Sequence, residues 1–517
     1  FTRRKFLDAE EAYKSIVNMG PASSYFELAL YKLGWSYYKQ ELFQDALDWF
    51  FVLLDYKESI GYEFERQPDM ADEKRIEDTY RVLSLIFSNL GGPGAMADYF
   101  DKRGSRVYEA NLYRSLGTFY LDKRRYSDAA MAFQAFAVRH PLHTLAPQFD
   151  MRAIEAYIAG GFPRLVIDSY KAFVEKFGPD SPYWEKSDFR SHPEASRYLK
   201  NTLKELSNHY HARFQDVRLE KEKGGNFQQA VKWYREFLAT FPKDAESPVL
   251  NYQLAQLLLE HRQYPEAAAE FERTAYGYPT HDKAATAGYA LIYTQRQELA
   301  AAPAEEKGRI LRNVAGNSWK FADVFRSDAQ APVVLGAAVE DIYSLKEYNF
   351  AIATGRRLLA NFPEADQAIR RSVLLIIANA LFESAQYADA EELYQGILET
   401  TPEGDPQRAQ LTEGLAASIY KQGEQAGKKG NFRKAAAQFQ RVAQSTPDST
   451  IRPAADYDAA AAMVRLKDWD RATELLAGFR ARYPGHSLQA EVSKNFAILY
   501  KETGKPTLAA AEYERLE

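Results

Sequence analysis

The sequence predicts an all-α protein, an α-solenoid of about twelve antiparallel helix pairs. Three observations carry this expectation. Small and bulky apolar residues recur at fixed offsets: Leu33-Gly34, Tyr37, Ala46, Phe50 and Leu53 in one stretch, and Leu116-Gly117, Tyr120, Ala129, Phe133, Phe136 and Pro141 in another. The anchor alanines keep a nearly constant period, with Ala230 to Ala267, Ala435 to Ala472 and Ala472 to Ala509 each 37 residues apart. Most units close on a bulky residue and a proline, as at Phe241-Pro242, Tyr278-Pro279, Phe362-Pro363 and Tyr483-Pro484. Proline cannot continue a helix, so it ends the unit and fixes the exit of the chain.

Within a unit, Gly34 and Ala46 are small enough for two helix backbones to approach, and Tyr37, Phe50 and Leu53 fill the space beside them. One pair cannot bury its apolar face alone, so neighbouring pairs must cover it. At 517 residues the chain is too long for one hydrophobic core. A stack of units avoids that limit because each packs only on its neighbours. The 34 tyrosines and 31 phenylalanines are the bulky knobs that such packing needs.

The L-G-x2-Y and A-x3-F spacing resembles the tetratricopeptide repeat family, and the likeness covers most of the chain. It implies a right-handed superhelix whose first helices line a groove for a protein or peptide partner. The slightly long period and the Phe/Tyr-Pro closure are similar in repeat style to envelope tetratricopeptide proteins of Gram-negative bacteria. Examples are the lipoprotein of the β-barrel assembly machinery and the periplasmic partner of the Tol system.

In chain order, residues 1–24 read as the second helix of a repeat whose first helix is missing, with Phe6, Ala9, Tyr13 and Pro21 as anchors. The array is therefore expected to begin inside a longer one. Pair one, Ala29 to Leu54, is followed by an insert from about Asp55 to Glu73. Pair two is degenerate, with Tyr80, Leu83 and Phe87 before Gly91-Gly92-Pro93-Gly94, whose glycines break the turn. Pair three is Tyr113 to Pro141, and pair four carries Tyr157, Phe162, Tyr170 and Phe173. Residues 178–193 hold three prolines and no helical period, which predicts a long loop. The expected organisation is an N-terminal array over 1–177, a boundary over 178–194 and a C-terminal array over 195–517.

Pair five begins near Ala195, and its first helix is expected to run on through HARFQDVRLEKEKGG. Pair six is regular, around Leu254, Leu258, Ala267 and Phe271. Pair seven is stretched by LAAAPAEEKG. Pairs eight and nine follow on Ala351 and Ala390, and pair ten is lengthened by GEQAGKKG before Phe432, Ala435 and Phe439. Pairs eleven and twelve are anchored by Ala472 and Ala509.

No enzyme signature is present: the chain has no G-x4-G-K-[ST], H-E-x2-H or G-x-S-x-G. No catalytic residue and no cofactor is expected. Cysteine is absent, which removes disulfides, thiol catalysis and cysteine metal sites. The net charge of −5 gives no global pull toward nucleic acid. Arg3-Arg4-Lys5 and Lys123-Arg124-Arg125 read as solvated faces balanced by nearby acids. The longest apolar run, Val373 to Leu381, is too short to span a membrane.

No metal site is expected among the eight histidines. His209 and His211 fall on different faces of a helix. His143, His281 and His486 each follow a closing proline by two residues, where Asp244 and Ser449 stand in other units. A short polar side chain there can cap the free N–H groups of the next helix.

One aromatic stripe stands apart. Tyr31, Trp35 and Tyr38 lie at i, i+4 and i+7 on a first helix whose Leu30, Leu33, Gly34 and Tyr37 already face the partner helix. The stripe is the candidate partner-binding site, because groove aromatics offer apolar area with a polar tip. Its alternative is packing against a neighbouring helix. Some tetratricopeptide proteins grip a terminal carboxylate with Lys and Asn on successive first helices; Tyr31 and Trp35, Tyr252 and Gln256, and Leu375 and Asn379 stand at those offsets here, which does not reproduce the clamp.

The expected function is a non-enzymatic protein-interaction scaffold in a bacterial envelope complex, periplasmic or outer-membrane-associated. The missing cysteines favour that compartment over the cytoplasm, which is the alternative. Two rival functions are a structural spacer with an empty groove and the solenoid body of an enzyme whose catalytic domain lies outside these residues.

Overall fold

The computed structural model describes residues 5–64, 70–185 and 189–516, and among them it has helices and no strand. Arg3 and Arg4 lie outside the described residues. Contacts divide the chain into two compact units, residues 1–250 and 251–517.

The first unit opens with a single helix, α1 (Phe6–Asn18). Five pairs follow. They are α2 (Phe26–Lys39) with α3 (Phe43–Ser59), α4 (Met70–Leu90) with α5 (Pro93–Arg103), and α6 (Glu109–Asp122) with α7 (Tyr126–Arg139). Then come α8 (Ala146–Gly160) with α9 (Pro163–Phe177), and α10 (Pro193–Gln215) with α11 (Lys223–Thr240).

From residue 247 onward the pairs are α12 (Ser247–Glu260) with α13 (Tyr264–Tyr276), α14 (Ala284–Ala301) with α15 (Ala304–Val324), and α16 (Ala331–Ser344) with α17 (Tyr348–Asn361). They continue as α18 (Gln367–Glu383) with α19 (Tyr387–Glu399), and α20 (Arg408–Lys428) with α21 (Phe432–Ser445). The last are α22 (Arg452–Leu466) with α23 (Trp469–Arg482), and α24 (Gln489–Glu502) with α25 (Pro506–Glu514). The described residues thus hold the twelve pairs that the anchor spacing implies.

The anchors do what their sizes suggest. Leu33, Ala46, Phe50 and Leu53 are fully buried, as are Leu116, Ala129 and Phe133. A Cβ placed on Gly34 would lie 2.9 Å from the Phe50 ring, and one on Gly117 would lie 2.4 Å from the Phe133 ring. The glycine is therefore a contact requirement: no side chain fits between the paired helices there. Ala267 and Ala472 are fully buried at the equivalent place on second helices. Replacing either with Leu should overpack the contact and cost about 1–3 kcal/mol. Thermal melts of Ala267→Leu and Ala472→Leu check this, and parent-like melting of both would mean that the register is wrong.

Two backbone devices repeat along the chain. Inside nine pairs, the first helix ends on a residue with positive φ: Glu41, Arg124, Arg262, Lys346, Ala385 and Lys467, or glycine at 161, 430 and 504. Two hydrogen bonds close each turn, as where Glu41 N–H donates to Tyr38 O at 3.0 Å and Leu42 N–H to Tyr37 O at 3.1 Å. This is the Schellman arrangement, which satisfies carbonyls left over at a helix end. In the second pair Gly91 and Gly92 both have positive φ and Gly92 N–H donates to Phe87 O at 2.7 Å, while the fifth and seventh pairs lack the arrangement.

Between pairs, the residue after the closing turn accepts from the N–H two positions on. His143, His281 and His486 do so through Nδ1 at 3.1, 3.2 and 3.2 Å. Asp244, Asp366 and Ser449 do the same at 2.9, 2.7 and 3.1 Å. The three histidines are turn caps, and among the described residues no three metal-ligating side chains converge.

The structure corrects two expectations. The insert after pair one is shorter than 55–73, because α3 continues to Ser59. Its extra turn packs on α2, with Tyr56 against Phe26 at 5.0 Å and Lys57 Nζ bonded to Glu27 at 3.1 Å. The first helix of pair five stops at Gln215, where Asp216 leaves the helical region and a 3-10 segment, Val217–Glu222, intervenes before α11. The 178–194 segment lies within the first of the two compact units. Trp184 is buried there and donates from Nε1 to Phe177 O at 3.1 Å, while Tyr183 Oη donates to His143 O at 2.9 Å. Aromatic contacts hold this segment down although it has no helical period.

No helix among the described residues is long and apolar enough to cross a membrane.

Candidate functional site: a cleft between successive helix pairs

Tyr31, Trp35 and Tyr38 are all partly buried on α2. Tyr31 Oη donates to Asp78 Oδ2 on α4, and Trp35 Nε1 donates to the same oxygen at 3.1 Å. The Trp35 ring meets Tyr38 edge-on at 5.3 Å and Phe50 at 6.4 Å, and Arg81 sits 5.7 Å from its centre. Burial pushes the Asp78 carboxyl up, but the hydrogen bonds from Tyr31, Arg81 and Trp35 outweigh it and hold it below the ordinary aspartate range. Burial, and then the bond to Asp78, push the Tyr31 hydroxyl up to about 12. The polar tips of Tyr31 and Trp35 are thus engaged by the next pair, which is the packing alternative. Tyr38 and the partly exposed ring faces of the other two remain for a groove.

Trp35→Ala should accordingly cost about 2 kcal/mol of stability, below the range for a fully buried aromatic because the ring is partly exposed. Chemical denaturation checks it. An unchanged denaturation midpoint would return the ring to a groove role alone.

A larger opening lies further along the same unit. It is a cleft of about 990 Å³ between the α8–α9 turn, α9 and α10. One wall is apolar, formed by Ile158, Phe162, Val166, Ile167 and Tyr170. The facing wall is polar, with Asn201, Lys204, Glu205, Asn208 and His209 from α10. Ile158 and Phe162, both in the apolar wall, are 53% and 37% exposed. The opening follows from connection length. Where the connection is short, the second helix packs on the next first helix, as α7 does on α8 across residues 140–145. Between α9 and α10 the chain instead detours through residues 178–192.

Lys204 and Asn208 stand three residues before and one after Ser207, the offsets of Tyr31 and Trp35 from Gly34. The register set by Leu206 and Tyr210 makes this pair legible in the sequence. Lys204 is not an open cation, because its ammonium is bonded to Glu246. Burial lowers the His209 imidazole, and Arg213 and Lys171 lower it further.

The tetratricopeptide repeat family profile matches residues 454–486. That span is most of α22, with α23 and the closing turn with its His486 cap, and similar anchors and caps recur in other pairs. The chain carries a tetratricopeptide repeat.

Solved tetratricopeptide structures align with much of this repeat chain. The TPR2AB domain of yeast Sti1, solved in complex with pHSP90, is 13% identical; the alignment covers 60% of this chain and 98% of that one, with a TM-score of 0.24. BtubC from P. vanneervenii is 20% identical over 42% of this chain and 90% of its own, with a TM-score of 0.23. A signal transduction ATPase with a tetratricopeptide sensor from Pyrococcus horikoshii is 15% identical over 92% and 74%, also at 0.23. No curated protein matches this repeat protein in sequence.

Proposed function

We propose that this protein is a non-enzymatic scaffold that binds a segment of a partner protein in the α8–α10 cleft. The observation that carries the reading is the cleft itself. Its volume of about 990 Å³ is at the upper end of the roughly 300–1,000 Å³ range of ligand pockets, and it pairs an apolar wall with a polar one. Bulky apolar residues of a partner would cover Ile158, Phe162 and Ile167, and the polar wall would meet its backbone. The exposed ring faces of Tyr31, Trp35 and Tyr38 are proposed as a second contact for the same partner.

Arrays of short immobilised peptides test the cleft. The parent protein should retain peptides rich in Leu, Ile and Phe. Ile167→Asp should weaken that retention at least about tenfold, the effect of roughly 1.4 kcal/mol. Retention of one and the same peptide set by both proteins would count against the cleft.

The proposed setting is a bacterial envelope complex in the periplasm or at the outer membrane. The absence of cysteine and the 37-residue, Phe/Tyr-Pro style of repeat support it. Cell fractionation tests the setting, and recovery of the protein with the cytoplasmic fraction would refute it.

A further inference from the structure

Beside the cleft, a second hollow of about 540 Å³ shares Pro163, Ile167 and His209 with it. Its remaining walls are charged. Arg164, Asp168 and Lys171 share one face of α9, and Arg213, Glu222 and Asn226 line the remaining wall.

The donors in this hollow are not all used. Lys171 is half-buried, with its ammonium 5.2 Å from the centre of the Tyr210 ring and no carboxylate at ion-pair distance among the described residues. Arg213 is committed: Nη2 bonds Glu222, and Nε donates to Asn226 Oδ1 at 3.3 Å. That second bond fixes the direction of the Asn226 amide, because turning it over would set an N–H against the guanidinium. Asn226 Nδ2 is then left with no acceptor among the described residues, although the residue is only 5% exposed. A buried donor without an acceptor carries the full desolvation cost of the group, so an acceptor brought to it recovers more than an ordinary hydrogen bond does. Where the hollow meets the cleft, burial and then the Arg213 and Lys171 charges lower the His209 imidazole.

We propose that this hollow is a carboxylate subsite, holding the side chain of an aspartate or glutamate in the same partner segment that fills the cleft. Lys171 supplies the charge and Asn226 Nδ2 the directed hydrogen bond. A neutral carbonyl would satisfy Asn226 but leave Lys171 unpaired. A terminal carboxylate would leave much of the 540 Å³ empty, whereas a side chain leaves room for the segment to continue past it. The proposal rests on the cleft reading above and adds the partner's chemistry to it.

The test uses the full chain and two peptides, acetyl-Leu-Leu-Glu-Leu-amide and its Gln counterpart, titrated by calorimetry. Two further probes are the Gln peptide with a free C-terminal carboxylate, and inorganic phosphate. The Glu peptide should bind at least about tenfold tighter than the Gln peptide and shift the Asn226 side-chain amide resonance to saturation. Both Asn226→Leu and the partly exposed Lys171→Met should abolish the Glu-over-Gln preference; the second variant serves if the first does not fold. Equal binding of the two amidated peptides would overturn the subsite while leaving the cleft in place. Failure of all peptides to bind would overturn the cleft reading and the subsite with it. A preference for the free C-terminus, or competition by phosphate as strong as by the Glu peptide, would overturn the side-chain assignment.

Discussion

Phe133→Ala is expected to lower the stability of the first unit by about 4 kcal/mol. Phe133 is fully buried where α6 and α7 approach most closely, and truncating a buried aromatic typically costs about 3–5 kcal/mol. The cause is specific to the pair. Its ring lies against Gly117, where even a Cβ would come within 2.4 Å. Gly117→Ala alone should therefore overpack and cost about 1–3 kcal/mol. The double variant is the informative one. Once the ring is gone the added methyl occupies vacated space, so Gly117→Ala with Phe133→Ala should cost less than the two single changes summed. Urea denaturation of the three variants checks this, and simple additivity would mean that the two residues are not in contact.

Arg139→Met should cost about 3 kcal/mol, for a different reason. Glu109 is 2% exposed at the start of α6, and Arg139 Nε reaches its Oε1 at 2.6 Å. His140 Nε2 stands 3.1 Å from the same oxygen. These are ion contacts without hydrogen-bond alignment, since the carboxylate oxygens have no aligned donor among the described residues. Removing one partner of a buried pair typically costs about 3–5 kcal/mol because the other charge is left uncompensated. Arg139 also holds the exposed Asp101, a contact worth little, so the low end is expected. Methionine keeps the apolar stem and removes only the charge. Adding Glu109→Leu should then recover much of the loss. A double variant as unstable as the single one would show that packing, not the buried charge, is at stake.

Most of the architecture is legible in the sequence because it is repeated. Leu33, Gly34, Ala46 and Phe50 carry little information once, but similar sizes at similar offsets in most of the twelve pairs specify helix, partner and turn. The capping role of His143, His281 and His486 is legible for the same reason, since Asp244 and Ser449 stand in the equivalent place. What is not legible lies where the repeat breaks. Prolines and missing periodicity in 178–193 indicate a loop but not that Trp184 and Tyr183 would fasten it to the first unit. The cleft is invisible in sequence because it arises from the length of that detour, not from a motif. The stripe shows a different limit. The spacing of Tyr31, Trp35 and Tyr38 identifies a shared face, yet Asp78, on the next pair, receives the polar tips of Tyr31 and Trp35. Its position 43 residues beyond Trp35 gives no local signal.

The most direct test of the scaffold account is hydrogen exchange of the full chain with and without a peptide retained by the parent and lost by Ile167→Asp. The account predicts slowed exchange in α9 and α10 and in the turn at Gly161 on adding the peptide. It also predicts no slowing there in the Ile167→Asp protein. Unchanged exchange in α9 and α10 of the parent, with the peptide bound and protection appearing only elsewhere in the chain, would contradict it.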